Sequence, residues 1–211
     1  MLHELRIYTL KAGTAAAAAH NAATLGKEIR GDNYGKLEGY FTTDVGPLNR
    51  VVHFWSHPSY DARLKTRADL AKNPRWTSEY VPAIREKLLA QEVRLLNPVV
   101  GPVKPDNPGN FYELRFYQLK PGAAKSWLDL FQSKLPTREK YSKIVGLWHT
   151  ESGQPNEVVH LWSYPDLKTR AHVRAQTSQD ADWQEYLSKS RPMIEAQESW
   201  FLIPAAHSPL Q

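Results

Sequence analysis

The chain has 211 residues, 41% hydrophobic and 23% charged, with a formal net charge of +5 and no cysteine. That length can bury a sizeable core, while the missing cysteine excludes disulfides, thiolate metal sites and a cysteine nucleophile. No apolar run reaches the ~18 residues of a membrane span, and the basic residues are scattered rather than clustered as a nucleic-acid surface requires.

Residues 3–10 alternate in polarity with the period of a strand, Leu5 and Ile7 on one face and Glu4, Arg6 and Tyr8 on the other. Lys11-Ala12-Gly13 makes a turn, and Thr14 is placed to cap a helix running through the alanine-rich residues 15–19 to about Tyr34. Residues 39–42 start a second strand, and Gly46-Pro47-Leu48-Asn49 turn it into a third over residues 50–56, which predicts a hairpin. After Pro58 comes a long helical region with Arg63, Arg67, Tyr80, Ile84 and Leu88, then a short strand at 92–96 stopped by Pro98. Residues 97–110 hold Pro98, Pro102, Pro105 and Pro108, the composition of a stiff, extended linker.

The same order then begins again. Glu113-Leu114-Arg115-Phe116-Tyr117 echoes Glu4-Leu5-Arg6-Ile7-Tyr8 at an offset of 109, and Val158-Val159-His160-Leu161-Trp162-Ser163 echoes Val51-Val52-His53-Phe54-Trp55-Ser56 at 107. Trp183 answers Trp76 at 107, and Glu185-Tyr186 answers Glu79-Tyr80 at 106. The drift predicts small deletions in loops or at helix ends. The second copy's first helix carries Trp127, Phe131 and Leu135 at four-residue spacing, with Pro136 expected to bend or end it, and its last strand, 198–203, should stop at Pro204. A unit this long is a small domain used twice, not a solenoid repeat.

Each half reads β-α-β-β-α-β, the ferredoxin-like pattern. The expected fold class is therefore α+β: two tandem ferredoxin-like repeats, 1–98 and 111–211, joined by a Pro-rich linker at 99–110. A ferredoxin-like sheet covers one face with helices and leaves the other bare. Packing the two repeats sheet-to-sheet within the chain gives a barrel-like core with helices outside. Helices and edge strands then remain for subunit contact, and a homo-oligomer is expected.

The Glu-Leu-Arg-x-Tyr-x-Leu-Lys-x-Gly openings, the Val-Val-His-x-Trp-Ser strands, Gly146-Leu147-Trp148-His149-Thr150-Glu151, the Arg63/Arg67 and Arg170/Arg174 helices and Trp76/Trp183 together resemble the NIPSNAP family in a tandem two-copy form. The resemblance runs over essentially the whole chain and implies the dimeric α+β barrel superfamily. It brings no established activity, since relatives in that superfamily include cofactor-free monooxygenases, lactone isomerases and haem enzymes, and fold does not choose among them.

Glu4 and Arg6, with Glu113 and Arg115, lie on central strands, where buried charges need partners. The favoured reading is a structural polar network paired across the interface between the sheets; the alternative is an anion-orienting arginine beside an acidic base. His53 and His160 share a face with Trp55 and Trp162, two residues on. They read first as core residues, and they are also the candidate catalytic groups suited to neutral pH. Arg6, Tyr8, Trp55, Arg115, Tyr117, Trp148 and Trp162 are the candidate pocket residues. Arg63/Arg67 and Arg170/Arg174 read as solvated helix faces. If one half alone keeps a pocket, the half with less side-chain bulk, the first, should have more room.

No metal-ligand cluster, phosphate loop or nucleophile elbow is present in the sequence, so no metal or cofactor is expected. The function expected from these residues is a cytoplasmic small-molecule pocket protein, its partner an anionic or aromatic compound, working as a cofactor-independent oxygenase or isomerase. The competing expectation is a non-catalytic binding or adaptor protein whose polar core is purely structural.

Overall fold

Strand β1 (Leu2–Leu10) begins the first repeat, and β5 (Phe111–Leu119) begins the second in the same manner. The computed structural model describes residues 1–107 and 109–211, so Pro108 of the expected linker lies outside the described residues. In the first repeat a helix follows in three sections: α1 (Ala15–Asn21), a π-helical turn (Ala22–Gly26) and α2 (Lys27–Arg30). The hairpin β2 (Lys36–Val45) and β3 (Arg50–His57) leads to α3 (Tyr60–Ala71), a second π-helical turn (Trp76–Tyr80), α4 (Val81–Arg85) and β4 (Leu88–Val100). The second repeat has α5 (Ala124–Glu139), β6 (Ile144–Ser152), β7 (Glu157–Tyr164), α6 (Leu167–Gln179), α7 (Ala181–Ser190) and β8 (Ile194–Pro204).

Local chemistry explains the punctuation. Both hairpins turn through an asparagine in the left-handed region, Asn49 at φ 56° and Asn156 at φ 58°, which its short polar side chain tolerates. The Ser59 hydroxyl accepts from the Ala62 amide at 3.1 Å and the Asp166 carboxylate from the Thr169 amide at 2.6 Å, capping α3 and α6.

The strand order is β1-β3-β2-β8-β5-β7-β6-β4, closed by β4 on β1, with every pair antiparallel. Each repeat is thus a ferredoxin-like sheet, β4-β1-β3-β2 or β8-β5-β7-β6. The two join edge to edge through β2–β8 and β4–β6. Closure pairs every strand edge, so the free edge strands expected to serve subunit contact are absent among the described residues. The faces that a single repeat would leave bare meet inside the barrel, where Leu5, Ile7, Val52, Phe54, Leu114 and Leu161 are buried together. Each such side chain contributes about 1.5–3 kcal/mol. Two further clusters lie between the outside of each sheet and its own helices.

Several boundaries differ from those read in the sequence. The first helix ends at Arg30 rather than near Tyr34, β2 begins at Lys36 rather than 39, and β4 begins at Leu88, a residue assigned to the preceding helix. β4 runs through Pro98 to Val100 and takes in the first two residues assigned to the linker, with Pro98 opposite Trp148 at a register shift. A strand tolerates a proline at such an irregularity. β8 begins at Ile194, four residues before the expected start. α5 continues past Pro136 to Glu139.

Candidate functional site

The alternation of β1 decides which residues meet. Leu5 and Ile7 enter the barrel, so Glu4, Arg6 and Tyr8 face outward beneath the helices, with Trp55 opposite Glu4 and His53 opposite Arg6. Arg6 Nη1 donates to Glu4 Oε1 at 2.5 Å, and its Nε donates to the Tyr8 hydroxyl at 2.9 Å. Arg63 on α3 donates to both Glu4 oxygens, at 2.8 and 3.1 Å. The second repeat copies this: Arg115 Nη1 donates to Glu113 at 2.6 Å, and Arg170 donates to both Glu113 oxygens at 2.8 and 2.7 Å.

Each network therefore closes within its own half, sheet to helix, and the pairing across the two sheets expected from the sequence does not occur. Arg63 and Arg170 are carboxylate partners, not a solvated stripe. Burial alone would raise the pKa of Glu4; His57, Arg63 and Arg6 outweigh it and hold the carboxyl far below the usual range. At Glu113, burial is likewise outweighed, by Arg170, Arg115 and Ser199, and the carboxyl is held down to about 2.

His53 and His160 are buried in matching settings. Trp55 Nε1–H donates to His53 Nδ1 at 2.6 Å, and Trp162 Nε1–H donates to His160 Nδ1 at 2.7 Å. An indole can only donate, so Nδ1 carries the lone pair and a neutral ring carries its proton on Nε2. Burial, then the charge of Arg6 at His53 and of Arg115 at His160, pushes both pKa values well below normal and keeps the rings neutral. Neither Nε2 has a hydrogen-bond partner among the described residues. Each ring stands edge-on to its tyrosine, His53 at 4.8 Å from Tyr8 and His160 at 4.7 Å from Tyr117.

Both histidines line cavities between sheet and helices. The first, about 570 Å³, brings together Arg6, Tyr8, His53 and Trp55 with Arg30, Tyr40, Trp76 and Tyr80. The second, about 720 Å³, brings together Arg115, Tyr117, His160 and Trp162 with Phe131, Arg138, Arg174 and Trp183. Both halves thus hold a cavity, and the case of one half alone keeping a pocket does not arise. Trp148 joins neither: it is fully buried inside the barrel, stacked on Phe54, and donates to His3 Nδ1 at 2.9 Å.

Sequence reading missed Arg30, Tyr40, Trp76, Tyr80 and His207 as cavity residues. The signal for Arg30 is its repeat at Arg138: the two guanidiniums lie over Trp55 at 3.9 Å and over Trp162 at 4.2 Å. That correspondence has an offset of 108, whereas Ala22 matches Phe131 at 109. The π-helical turn Ala22–Gly26 absorbs the extra residue, and the turn Trp76–Tyr80 does the same where the offset falls from 107 to 106. Two of the three steps in the drift therefore lie inside helices, and the third, from 108 to 107, lies between Arg30 and Gly39, at the end of α2 and in the loop beyond it, as expected. Both turns border the first cavity, as such turns often do at functional sites. They also pack on each other: a Cβ on Gly26 would stand 2.9 Å from Tyr80 Cε2. His207 arrives from the segment after β8, its ring 4.5 Å from Tyr40, held there as Tyr40 N–H donates to Ser208 Oγ at 3.0 Å.

The NIPSNAP family model matches residues 3–101 and again 112–209. The chain belongs to the NIPSNAP family. It is 30% identical to the human protein NipSnap homolog 3B over 215 aligned positions, covering 99% of this chain and 85% of that protein. It is 32% identical to human NipSnap homolog 2 over 179 positions, 83% of this chain but 62% of the relative. A solved NIPSNAP family protein of unknown function from Agrobacterium tumefaciens is 33% identical with a TM-score of 0.48, matched over 100% of its length by 52% of this chain. The two-repeat fold is also found in a solved structure from Lactobacillus acidophilus, TM-score 0.70 at 13% identity over 97% of this chain and 94% of that one. Among the described residues of this NIPSNAP chain no helix is long and apolar enough to cross a membrane.

Proposed function

We propose that the cavity of the first NIPSNAP repeat is the functional site, that it takes up a small organic molecule, and that His53 acts there as a hydrogen-bond donor. The locked tautomer of His53, a residue of the cavity lining, carries this reading: its Nδ1 lone pair is engaged by Trp55, and its buried Nε2 has no partner among the described residues. The ring is therefore unsuited to be the general base expected from the sequence. It is suited to stabilise an oxygen on which negative charge develops, as neutral imidazoles kept uncharged by their surroundings do. Cofactor-independent oxygenation and isomerisation both pass through an enolate or phenolate made from the substrate itself; this donor fits a substrate acidic enough to lose its proton to water, since His53 cannot take it. The same tautomer places a proton on the nitrogen that would otherwise ligate iron, which favours the cofactor-free reading over a haem one.

A cytoplasmic, homo-oligomeric protein remains part of the proposal, with helical surfaces rather than strand edges available for assembly; light scattering at micromolar concentration tests the oligomer. The site itself is tested by a thermal-shift screen of metabolites. A ligand at 100-fold its Kd adds about 2.7 kcal/mol to native-state stability. Hits should lose their effect in His53→Phe and keep it in His160→Phe, and any turnover should fall by roughly 10²–10³ in the former. Hits that respond equally to both variants would place binding elsewhere, and binding without turnover would leave the non-catalytic role.

A further inference from the structure

The duplication supplies an internal control for the arginine that lies on the tryptophan of each cavity wall, and the two copies do not match. Arg138 in the second repeat is buried and supplied with protein partners: Nη1 donates to Ser142 Oγ at 2.7 Å, and Nη2 donates to the Tyr164 hydroxyl at 3.1 Å. Its counterpart Arg30 sits on its tryptophan in the same way, but the partners have changed. Tyr164 is replaced by His57 and Ser142 by Tyr34. Arg30 is left with one hydrogen bond, Nη2 to the Tyr34 carbonyl at 2.7 Å; its buried Nε has no partner, and it enters no ion pair among the described residues. A guanidinium offers five donors in a planar fork, so most of that fork is unused.

The surroundings say what could use it. Arg6, Arg67 and Arg85 line the same cavity, with Lys27 and Lys36 at its rim, while Asp32 is the one carboxylate in the lining among the described residues. Arg6 is already engaged by Glu4, and Arg67 Nη1 stands 3.8 Å from the same carboxylate. Among the described residues Arg30 has no such carboxylate, and its guanidinium lies over the rings of Trp55 at 3.9 Å and Trp76 at 5.5 Å. Tyr8, Tyr40 and Tyr80 supply flat walls, and the volume of about 570 Å³ is of the size that holds drug-like molecules.

We infer that the first cavity binds a planar aromatic carboxylate, its carboxylate docked on Arg30 and its ring against the tryptophan and tyrosine walls. This rests on the cavity being the binding site and adds the ligand class and its anchor. A carboxylate accepts two parallel N–H donors from such a fork, which gives geometric selectivity as well as charge. His53, in the lining of the same cavity, has a buried Nε2–H without a partner among the described residues, and a ring that also bears a hydroxyl or carbonyl oxygen within its reach would be favoured.

The test is a pair of isosteric probes, 2-naphthoate and 2-naphthamide, titrated by calorimetry into the wild type, Arg30→Met, Arg30→Lys and Arg138→Met. In the wild type the acid should bind about ten- to a hundredfold more tightly than the amide. Arg30→Met should erase that preference while leaving amide affinity within about twofold, Arg30→Lys should restore part of it, and Arg138→Met should keep it in full. Should Arg30→Met fail to fold, the graded loss in Arg30→Lys carries the comparison. An amide that binds as well as the acid, or a preference that survives in both Arg30 variants, overturns the carboxylate anchor yet leaves the cavity as a binding site. Failure of both probes to bind the wild type overturns the ligand class, and the metabolite screen then decides separately about the cavity.

Discussion

Where the second half stacks Trp127 on Phe131 at 5.0 Å, the first half carries Ala18 and Ala22. Around this difference nearly everything is the same: the Glu-Arg-Tyr row, the helix arginine gripping the glutamate, and the histidine locked by its indole. The bulk in the second half has redirected its cavity rather than removed it. Both cavities reach the start of the last strand, at Leu88 and Gln91 or at Ile194 and Gln197. Only the first extends past the small residues to Gly26 and Gly31 on the helix and to Leu37 and Tyr40 on β2. Volume does not separate the halves. The unpaired Arg30, the two π-helical turns and the arriving His207 distinguish the first, and what a wall leaves unsatisfied is more informative than how much space it encloses.

The shared frame and the divergent filling can be broken separately. Arg6→Ala and Arg115→Ala should each remove one of the two arginines hydrogen-bonded to a buried glutamate, leaving Arg63 or Arg170 in place, and cost about 1.5–3 kcal/mol, read from denaturant unfolding. Equal losses place both networks in the frame. A near-zero loss for Arg6→Ala alone would move that residue from the frame to the ligand.

The acid limb of the stability curve sharpens the same comparison. Glu4 and Glu113 are depressed in the folded protein, so their contribution is complete above the unfolded value of 4.5 and is lost as pH falls through the folded one. For Glu113, held down to about 2, the loss between those limits is at most on the order of 3 kcal/mol. Glu113→Gln should flatten stability against pH over that window. Glu4→Gln should flatten it over a window reaching lower pH, because the first-half carboxyl is held lower.

Ala22→Phe copies the second half's aromatic into the first. It should weaken any ligand of the first cavity by about tenfold to a hundredfold, or about 1.4–2.7 kcal/mol, while the melting temperature changes little because the side chain enters existing space. Unchanged binding would mean that the ligand uses the region common to both halves.

The smallest effect concerns the caps. Ser59→Ala and Asp166→Ala should each cost about 1 kcal/mol, checked by thermal unfolding, and a marked difference between them would show that the two helices are not equally supported by packing.

Much of the frame was legible because it is periodic. The period-two alternation of 3–10 and its repeat at 113–119 placed Glu4, Arg6 and Tyr8 on one face, and the same-face spacing paired His53 with Trp55. The sequence could not show which face looked inward. Trp148 reads as a pocket aromatic beside His149, yet strand alternation around a closed barrel sends it to the interior. Arg63 and Arg170 read as helix surface because the i, i+4 spacing fixes a helical face without saying what that face meets. The π-helical turns were present only as one-residue slips in the repeat offset, which a loop deletion would produce equally well.

By itself the amino-acid sequence determined the order of elements, the duplication, the family and the residue types that the two halves hold in common, because all of these depend on local periodicity and on spacing along the chain. Tertiary structure decided how the sheets join and which charges pair. It also decided that the Nδ1 lone pair of His53 is taken up by an indole, and that Arg30 lacks the hydroxyl partners of Arg138. Those properties depend on distances between residues far apart in the chain: a 2.6 Å contact from an indole fixes one tautomer, and the absence of a tyrosine hydroxyl that its twin possesses leaves one arginine unsatisfied.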